Sequence, residues 1–381
     1  MSSWKGICYT ACGSSNRGEV FNDIKLLSEL TNTIRTYSTD DCGKAEDTLD
    51  AAKSLGMKVY LGLWVGRNGL GNEMNNLIKL ATARKLDNVE AVIVGCETQY
   101  RGDVSEEVLI QLINQVKNYL TSVGYRNILI TTADTRNKWT PRLISAVDLV
   151  LSHMHPYWES TVVDNAIDSV VAYSYAMKSY LGNKPFILAE TGWPDAGGNH
   201  GSAIANEEAQ KTYYVKLKCA AKKHKMDTFY FEAFDSFFKY NSLEVEKHWG
   251  LFNSKRILKD HIRAAMNVKC PEDSVAIGTP TPIAEGPTPP TPPVSSNTEC
   301  VYDADSQSVT VKNISKNVAC VVHPQSAQKS DVDSATQRQL KFLHVNSKDT
   351  FVLLFSERGC QGPLIGNIRC VPIKSKLSKQ Y

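Results

Sequence analysis

Long apolar runs are missing from this chain, and so is any one-sided excess of charge. No stretch approaches the ~20 apolar residues that cross a bilayer; the longest are segments such as Val92–Val94 and Phe351–Phe355, so stable membrane insertion is not expected. Forty-three Lys and Arg stand against 40 Asp and Glu, a net charge of +3, without the basic surplus that marks a nucleic-acid binder. The turn after the first strand-like run, TACGSSNRG, does not fit GxGxxG, and there is neither a P-loop nor a GxSxG elbow. Dinucleotide, nucleoside-triphosphate and serine-hydrolase chemistry therefore lack their usual signatures. No CxxC pair has a second CxxC or an HxxxH partner, which argues against structural zinc. His153 and His155 are two residues apart and would share one side of a strand. With no third ligand fixed by motif, neither a metal nor another cofactor is expected.

What is present reads as globular. The 381 residues are 42% hydrophobic, 22% charged and 9% aromatic, enough for one large domain of about 250 residues and something smaller. Ten cysteines are scattered along the chain, and the last four, Cys300, Cys320, Cys360 and Cys370, cluster in the tail with the sequon Asn313-Ile314-Ser315. Both features point to an oxidising compartment and to a disulfide-stapled module, with three connectivities open to four cysteines. Met1-Ser2-Ser3 runs directly into the strand-like Lys5–Thr10. The expectation is that an export signal or anchor has been trimmed away.

Proline draws the main boundary. Eight of the 15 prolines lie between Pro271 and Pro293, so residues 271–299 are expected to be a Pro/Thr-rich extended linker. Residues 300–381 are expected to form a small β-rich, Cys-containing module. Residues 1–270 alternate short β-branched runs, at Gly6–Thr10, Thr33–Ser38, Lys58–Trp64, Val89–Glu97, Asn127–Asp134, Val147–Tyr157, Lys184–Trp193 and Asp227–Asp235, with helical patterns such as Ala45–Leu55, Ser105–Ser122 and Asn206–His224. Eight such units predict a (β/α)8 TIM barrel, fold class α/β, with an open doubly wound sheet as the competitor.

In such a barrel the reactive groups sit at the C-terminal strand ends. Those ends carry Tyr37, Glu97, Asp134, His155, Tyr157, Glu190, Trp193, Glu232 and Asp235. Glu97 and Glu190 each follow an apolar run directly, in VIVGCE and LAE, which places them at the barrel mouth. Two glutamates facing one cleft are the minimum apparatus for breaking a glycosidic bond. Tyr37, Trp64, Tyr100, Tyr157, Trp158, Trp193 and Trp249 lie near the same ends, and flat rings stack on the C–H faces of sugars.

The segments GICYT, NTIRTYSTDDC, AAKSLGMKVYLGLW, VIVGCETQYRGD, ITTAD, HMHPYW, ILAETGWPDAG, FYFEAFDSFFK and HWGLF resemble, in that order, the glycoside hydrolase family 17 fungal β-1,3-glucanases and glucanosyltransferases. The resemblance spans roughly residues 4–265. It implies a retaining, endo-acting hydrolase of β-1,3-glucan, with Glu97 as acid/base and Glu190 as nucleophile. Tyr37, Tyr157, Glu232 and Asp235 would line glucose subsites, and Cys96, Asp134, His155 and Trp193 complete the expected substrate contacts. It also implies β-1,3-glucan as partner and a secreted or cell-wall location; a monomer is expected. Cys96 departs from the family's Asn before the acid/base, and a thiol is a poor donor. Two rivals follow: a glucanosyltransferase, and a catalytically impaired glucan-binding wall protein. Cys12 and Cys42 fall beyond the first two strands, where fungal relatives have cysteines, and Cys219 on the seventh helix neighbours Cys270 after the eighth; these two pairs are expected to bridge. Cys8 and Cys96 are expected to be free.

Overall fold

A computed structural model describes residues 4–271 apart from Asn241, and beyond them the backbone of six strands. The chain divides into two units, Met1–Gly278 and Thr279–Tyr381.

The first unit is a closed barrel of eight parallel strands: β1 (Gly6–Cys8), β2 (Thr33–Arg35), β3 (Lys58–Leu63), β4 (Val89–Cys96), β5 (Leu129–Thr135), β6 (Val150–His153), β7 (Phe186–Thr191) and β8 (Thr228–Tyr230). Each pairs with its neighbours in sequence, and β8 closes onto β1 through Gly6–Phe229 and Ile7–Tyr230. The period of two is visible in β4. Ala91 and Ile93 point into the barrel, with Cys8, Tyr60, Ala133, Leu151, Ala189 and Phe229. Val92 and Val94 point outward, into the larger core beneath the helices. Small residues among the inward set leave room for Tyr60 and Phe229, whose ring centroids are 5.0 Å apart, so the interior is a packed core.

The helices are α1 (Arg17–Ser28), α2 (Ala45–Ser54), α3 (Asn72–Thr82), α4 (Glu106–Ser122), α5 (Pro141–Ala146), α6 (Val163–Leu181), α7 (Glu207–His224) and α8 (Asp260–Met266). Their starts follow local chemistry: the side chains of Asn16, Ser105, Thr140 and Asn206 accept from the N–H groups of Glu19, Val108, Leu143 and Ala209. The six-residue α5, with Pro141 in its first turn, is too short to show a helical period, so the sequence pattern does not reveal it.

The strands are shorter than the apolar runs that announce them. Beyond β2, β6 and β8 the chain leaves the ladder, so Tyr37, His155, Glu232 and Asp235 lie on the first loop residues rather than on strands. Cys12–Cys42 and Cys219–Cys270 are bonded, with Cα atoms 5.2 and 5.3 Å apart, and Cys8 and Cys96 are free and buried. Among the described residues no helix is long and apolar enough to cross a membrane.

In the second unit, Glu299–Asp303 pairs antiparallel with Ser308–Lys312. A four-stranded antiparallel sheet runs in the order Lys341–His344, Phe351–Leu354, Val318–His323 and Asn367–Pro372. The Pro/Thr-rich linker, the sequon and the pairing of the tail cysteines lie outside the described residues.

Candidate active site

The site begins with a charge where a barrel interior normally has none. Arg35, the last residue of β2, is fully buried. Its Nη1 lies 3.0 Å from Glu190 Oε1 and donates to Ala189 O at 2.7 Å and to His153 Nε2 at 3.0 Å. Its Nη2 reaches Cys96 Sγ at 3.4 Å, and its guanidinium carbon stands 4.9 Å over the Tyr37 ring. A buried cation is tolerated when a partner charge and hydrogen bonds compensate it; Glu190 is that partner, and only Arg35 Nε lacks an acceptor among the described residues.

Glu190 ends the apolar run of β7 and is 6% exposed. His155 Nε2 is 3.2 Å from its Oε2, and Cys96 Sγ is 3.7 Å from its Oε1. Burial works against its charge, but His153, the Arg35 guanidinium and the His155 hydrogen bond outweigh burial and hold the carboxyl well below the usual carboxylate range. Arg35 is charged at any working pH, so its part of that pull persists beside a neutral His153. Glu190 is therefore an ionised, donor-ringed carboxylate.

Glu97 follows β4 in a left-handed conformation, φ 53°. For a residue with a Cβ this is a strained geometry of the sort that clusters at functional sites. The short helix after it, Thr98–Arg101, is capped from the next strand: Asp134 Oδ2 accepts from Gln99 N at 2.9 Å and Tyr100 N at 3.3 Å, while Oδ1 accepts from Thr135 N at 2.8 Å. Glu97 Oε1 lies 2.8 Å from His153 Nδ1, and His153 Nε2 lies 3.5 Å from Glu190 Oε1. One imidazole thus stands between the two glutamates.

His155 lies beyond the end of β6, so the two histidines do not share a strand face, yet both reach Glu190. Cys96, His153 and Glu190 offer ligand atoms within 4.8 Å of one another. Arg35 touches all three, however, and a metal cation there would lie against a permanent positive charge. Burial and Glu190 push the Cys96 thiol well above its usual range, so it remains protonated.

Other expected residues take different positions. Asp134 is fully buried and serves as the cap just described. Trp193 and Tyr157 are also buried. The indole of Trp193 donates to Ile204 O at 2.9 Å and Tyr157 to Gly198 O at 3.0 Å, and their rings pack 5.5 Å apart. They pack into the wall behind the site. Trp249 is in the same cluster. Trp64 and Tyr100 do keep open surface, 37% and 61% exposed. Glu232 accepts from Ser236 Oγ at 2.9 Å and Lys239 Nζ at 3.1 Å. Asp235 accepts from Lys259 at 2.8 Å and Gly250 N at 3.1 Å, and burial pushes it up to about 6 against the pull of Lys259.

Arg35, His153 and Lys239 were not among the expected site residues. Arg35 had a signal: an arginine in the short β-run TIR. His153 had one only as a possible metal ligand. Lys239, on the loop after β8, had none.

The model of the BtgE/BtgC glycoside hydrolase domain matches residues 6–250. Similar proteins include a glucan 1,3-β-glucosidase of Arthroderma benhamiae, 32% identical over 65% of this chain and 85% of that protein. A putative glucan endo-1,3-β-glucosidase of Aspergillus niger is 32% identical over 68% of this chain, which spans 42% of that relative. Among solved structures, an active-site mutant of the Rhizomucor miehei β-1,3-glucanosyltransferase in complex with laminaritriose is 33% identical with a TM-score of 0.63, covering 68% of this chain and 96% of that one. A second crystal structure, of a glycoside hydrolase family 17 β-1,3-glucanosyltransferase from Rhizomucor miehei, matches at 34% identity with the same TM-score and coverage. With the barrel, its paired glutamates and a family match over most of the first unit, the chain belongs to the BtgE/BtgC glycoside hydrolase domain family.

Proposed function

We propose that this glycoside hydrolase acts on β-1,3-glucan by double displacement. Glu190 attacks the anomeric carbon while Glu97 gives its proton to the departing glycosidic oxygen; a water, deprotonated by Glu97, then releases the glycosyl group from Glu190. The observation that carries this reading is the contrast between the carboxyls. Glu190 is buried, ionised and held by Arg35 and His155, as a nucleophile requires. The Glu97 side chain is 27% exposed and faces a single histidine, as a group that exchanges protons with substrate and water requires. Tyr37, Cys96, His155, Glu232 and Asp235 are the groups proposed to meet sugar hydroxyls. The laminaritriose held by the Rhizomucor miehei relative supports the substrate class. Two disulfides support action in an oxidising, extracellular or wall setting.

The test is incubation with laminarin oligomers followed by anomeric NMR. Retained configuration is expected, Glu190→Ala abolishes turnover, and Glu97→Ala keeps activity on a dinitrophenyl glycoside and yields a β-azide with added azide. An inverted first product overturns double displacement. A second reading, glucanosyl transfer, is favoured by the name of that Rhizomucor miehei relative. Products longer than the starting oligosaccharide select it over hydrolysis, and absence of reducing sugar and of longer products selects a glucan-binding protein.

A further inference from the structure

His153 has no assigned role in the reading above, yet it touches both reacting carboxyls. It is 3% exposed at the end of β6. Its Nε2 lies 3.0 Å from Arg35 Nη1. Arginine only donates, so Nε2 accepts, and the one ring proton of the neutral imidazole resides on Nδ1. That proton faces Glu97 Oε1 at 2.8 Å. The ring is thus held in a single tautomer by the residue that also binds Glu190. Tyr173, which donates to His153 O at 3.1 Å, fixes the backbone beneath it.

We propose that His153 is a positioning residue that assists proton release from Glu97, an inference that rests on Glu97 being the acid. A hydrogen bond to an ionised acceptor is about twice as strong as one to a neutral acceptor. The Nδ1–H therefore holds Glu97 more firmly after the proton has left than before. In the first step the Glu97 O–H bond breaks and its proton passes to the glycosidic oxygen. The bond from that oxygen to the anomeric carbon breaks with its electron pair on oxygen, and Glu190 forms the new C–O bond. His153 exchanges no proton and keeps its Nδ1–H throughout. Its benefit falls on leaving groups that need the proton and is absent for those that do not.

The measurement is kcat/KM for phenyl and 2,4-dinitrophenyl β-laminaribioside on the same preparation, so that any unfolded fraction cancels in the ratio. His153→Leu is expected to lower the phenyl value about 10- to 100-fold more than the dinitrophenyl value, the worth of a hydrogen bond to a charged group. His153→Asn, whose amide N–H takes the place of Nδ1–H, is expected to restore the ratio to within about threefold of the unsubstituted protein. Equal loss on both substrates, loss on neither, or an Asn variant that behaves as the Leu variant does overturns the proposal. Glu97→Ala on the same pair separates the two ideas. If it shows no leaving-group selectivity, the acid assignment fails and the proposal falls with it. If it is selective while His153→Leu is not, the His153 inference alone is lost.

Discussion

Arg35 gives Glu190 a structural role beside its proposed chemical one. A guanidinium with no exposed surface has Glu190, 3.0 Å away, as its one carboxylate contact among the described residues. Glu190→Gln keeps the shape and an acceptor but removes the charge, and breaking a buried pair in this way costs about 3 kcal/mol. The folded-state pKa of Glu190 lies below the ordinary 4.5, so its ionisation favours the folded state above that pH, and this contribution is lost as the pH falls through the folded-state value. Urea unfolding should therefore show Glu190→Gln less stable at pH 7, with the gap narrowing toward pH 3. A gap that widens on acidification contradicts this account.

At the scale of elements, the barrel positions Glu97 by borrowing from a neighbouring strand. Asp134 on β5 caps the four-residue helix that follows Glu97. Asp134→Ala should lower stability by about 1–2 kcal/mol, the worth of a cap. It should also reduce kcat/KM on phenyl glycosides more than on dinitrophenyl ones, because Glu97 loses its fixed approach. Equal activity of variant and parent on both substrates would show that the cap does not position Glu97. The loop carrying Tyr37 is held comparably. Glu73 of α3, 4% exposed, accepts from Ser38 Oγ, from Thr39 N at 2.7 Å and from Thr39 Oγ1 at 2.5 Å. Gly62 of β3 lies so close to this loop that a Cβ would stand 2.4 Å from Thr36 O and from Tyr37 Cα. Glu73→Ala leaves the buried Thr39 N–H without its acceptor and is expected to cost about 1–3 kcal/mol. Differential scanning calorimetry checks it, and a melting temperature equal to that of the parent would contradict it.

For the whole molecule, the site residues discussed all come from the first unit, and the family match stops at residue 250. A Pro/Thr-rich spacer transmits little geometry. Truncation after Pro271 is therefore predicted to leave kcat on short laminari-oligosaccharides within about twofold of the full chain. A large fall in kcat would show that the second unit contributes to the chemistry.

The sequence by itself determined the barrel, because eight β-branched runs alternating with helical patterns have one economical closed solution, and because the strand-end rule then names the mouth. It determined Glu97 and Glu190 for the same reason: each is the first carboxylate after an apolar strand. It also placed the cysteine pairs near one another through resemblance and barrel order. The tertiary structure decided which polar and aromatic strand-end groups keep open surface and which are buried in the core. Trp193, Tyr157 and Asp134 occupy the same kind of sequence position as Glu190, yet packing and backbone hydrogen bonds from distant segments use them up. Arg35 and His153 gain their roles only when β2, β6 and β7 converge, since a hydrogen bond between residues 118 apart leaves no local trace in the chain.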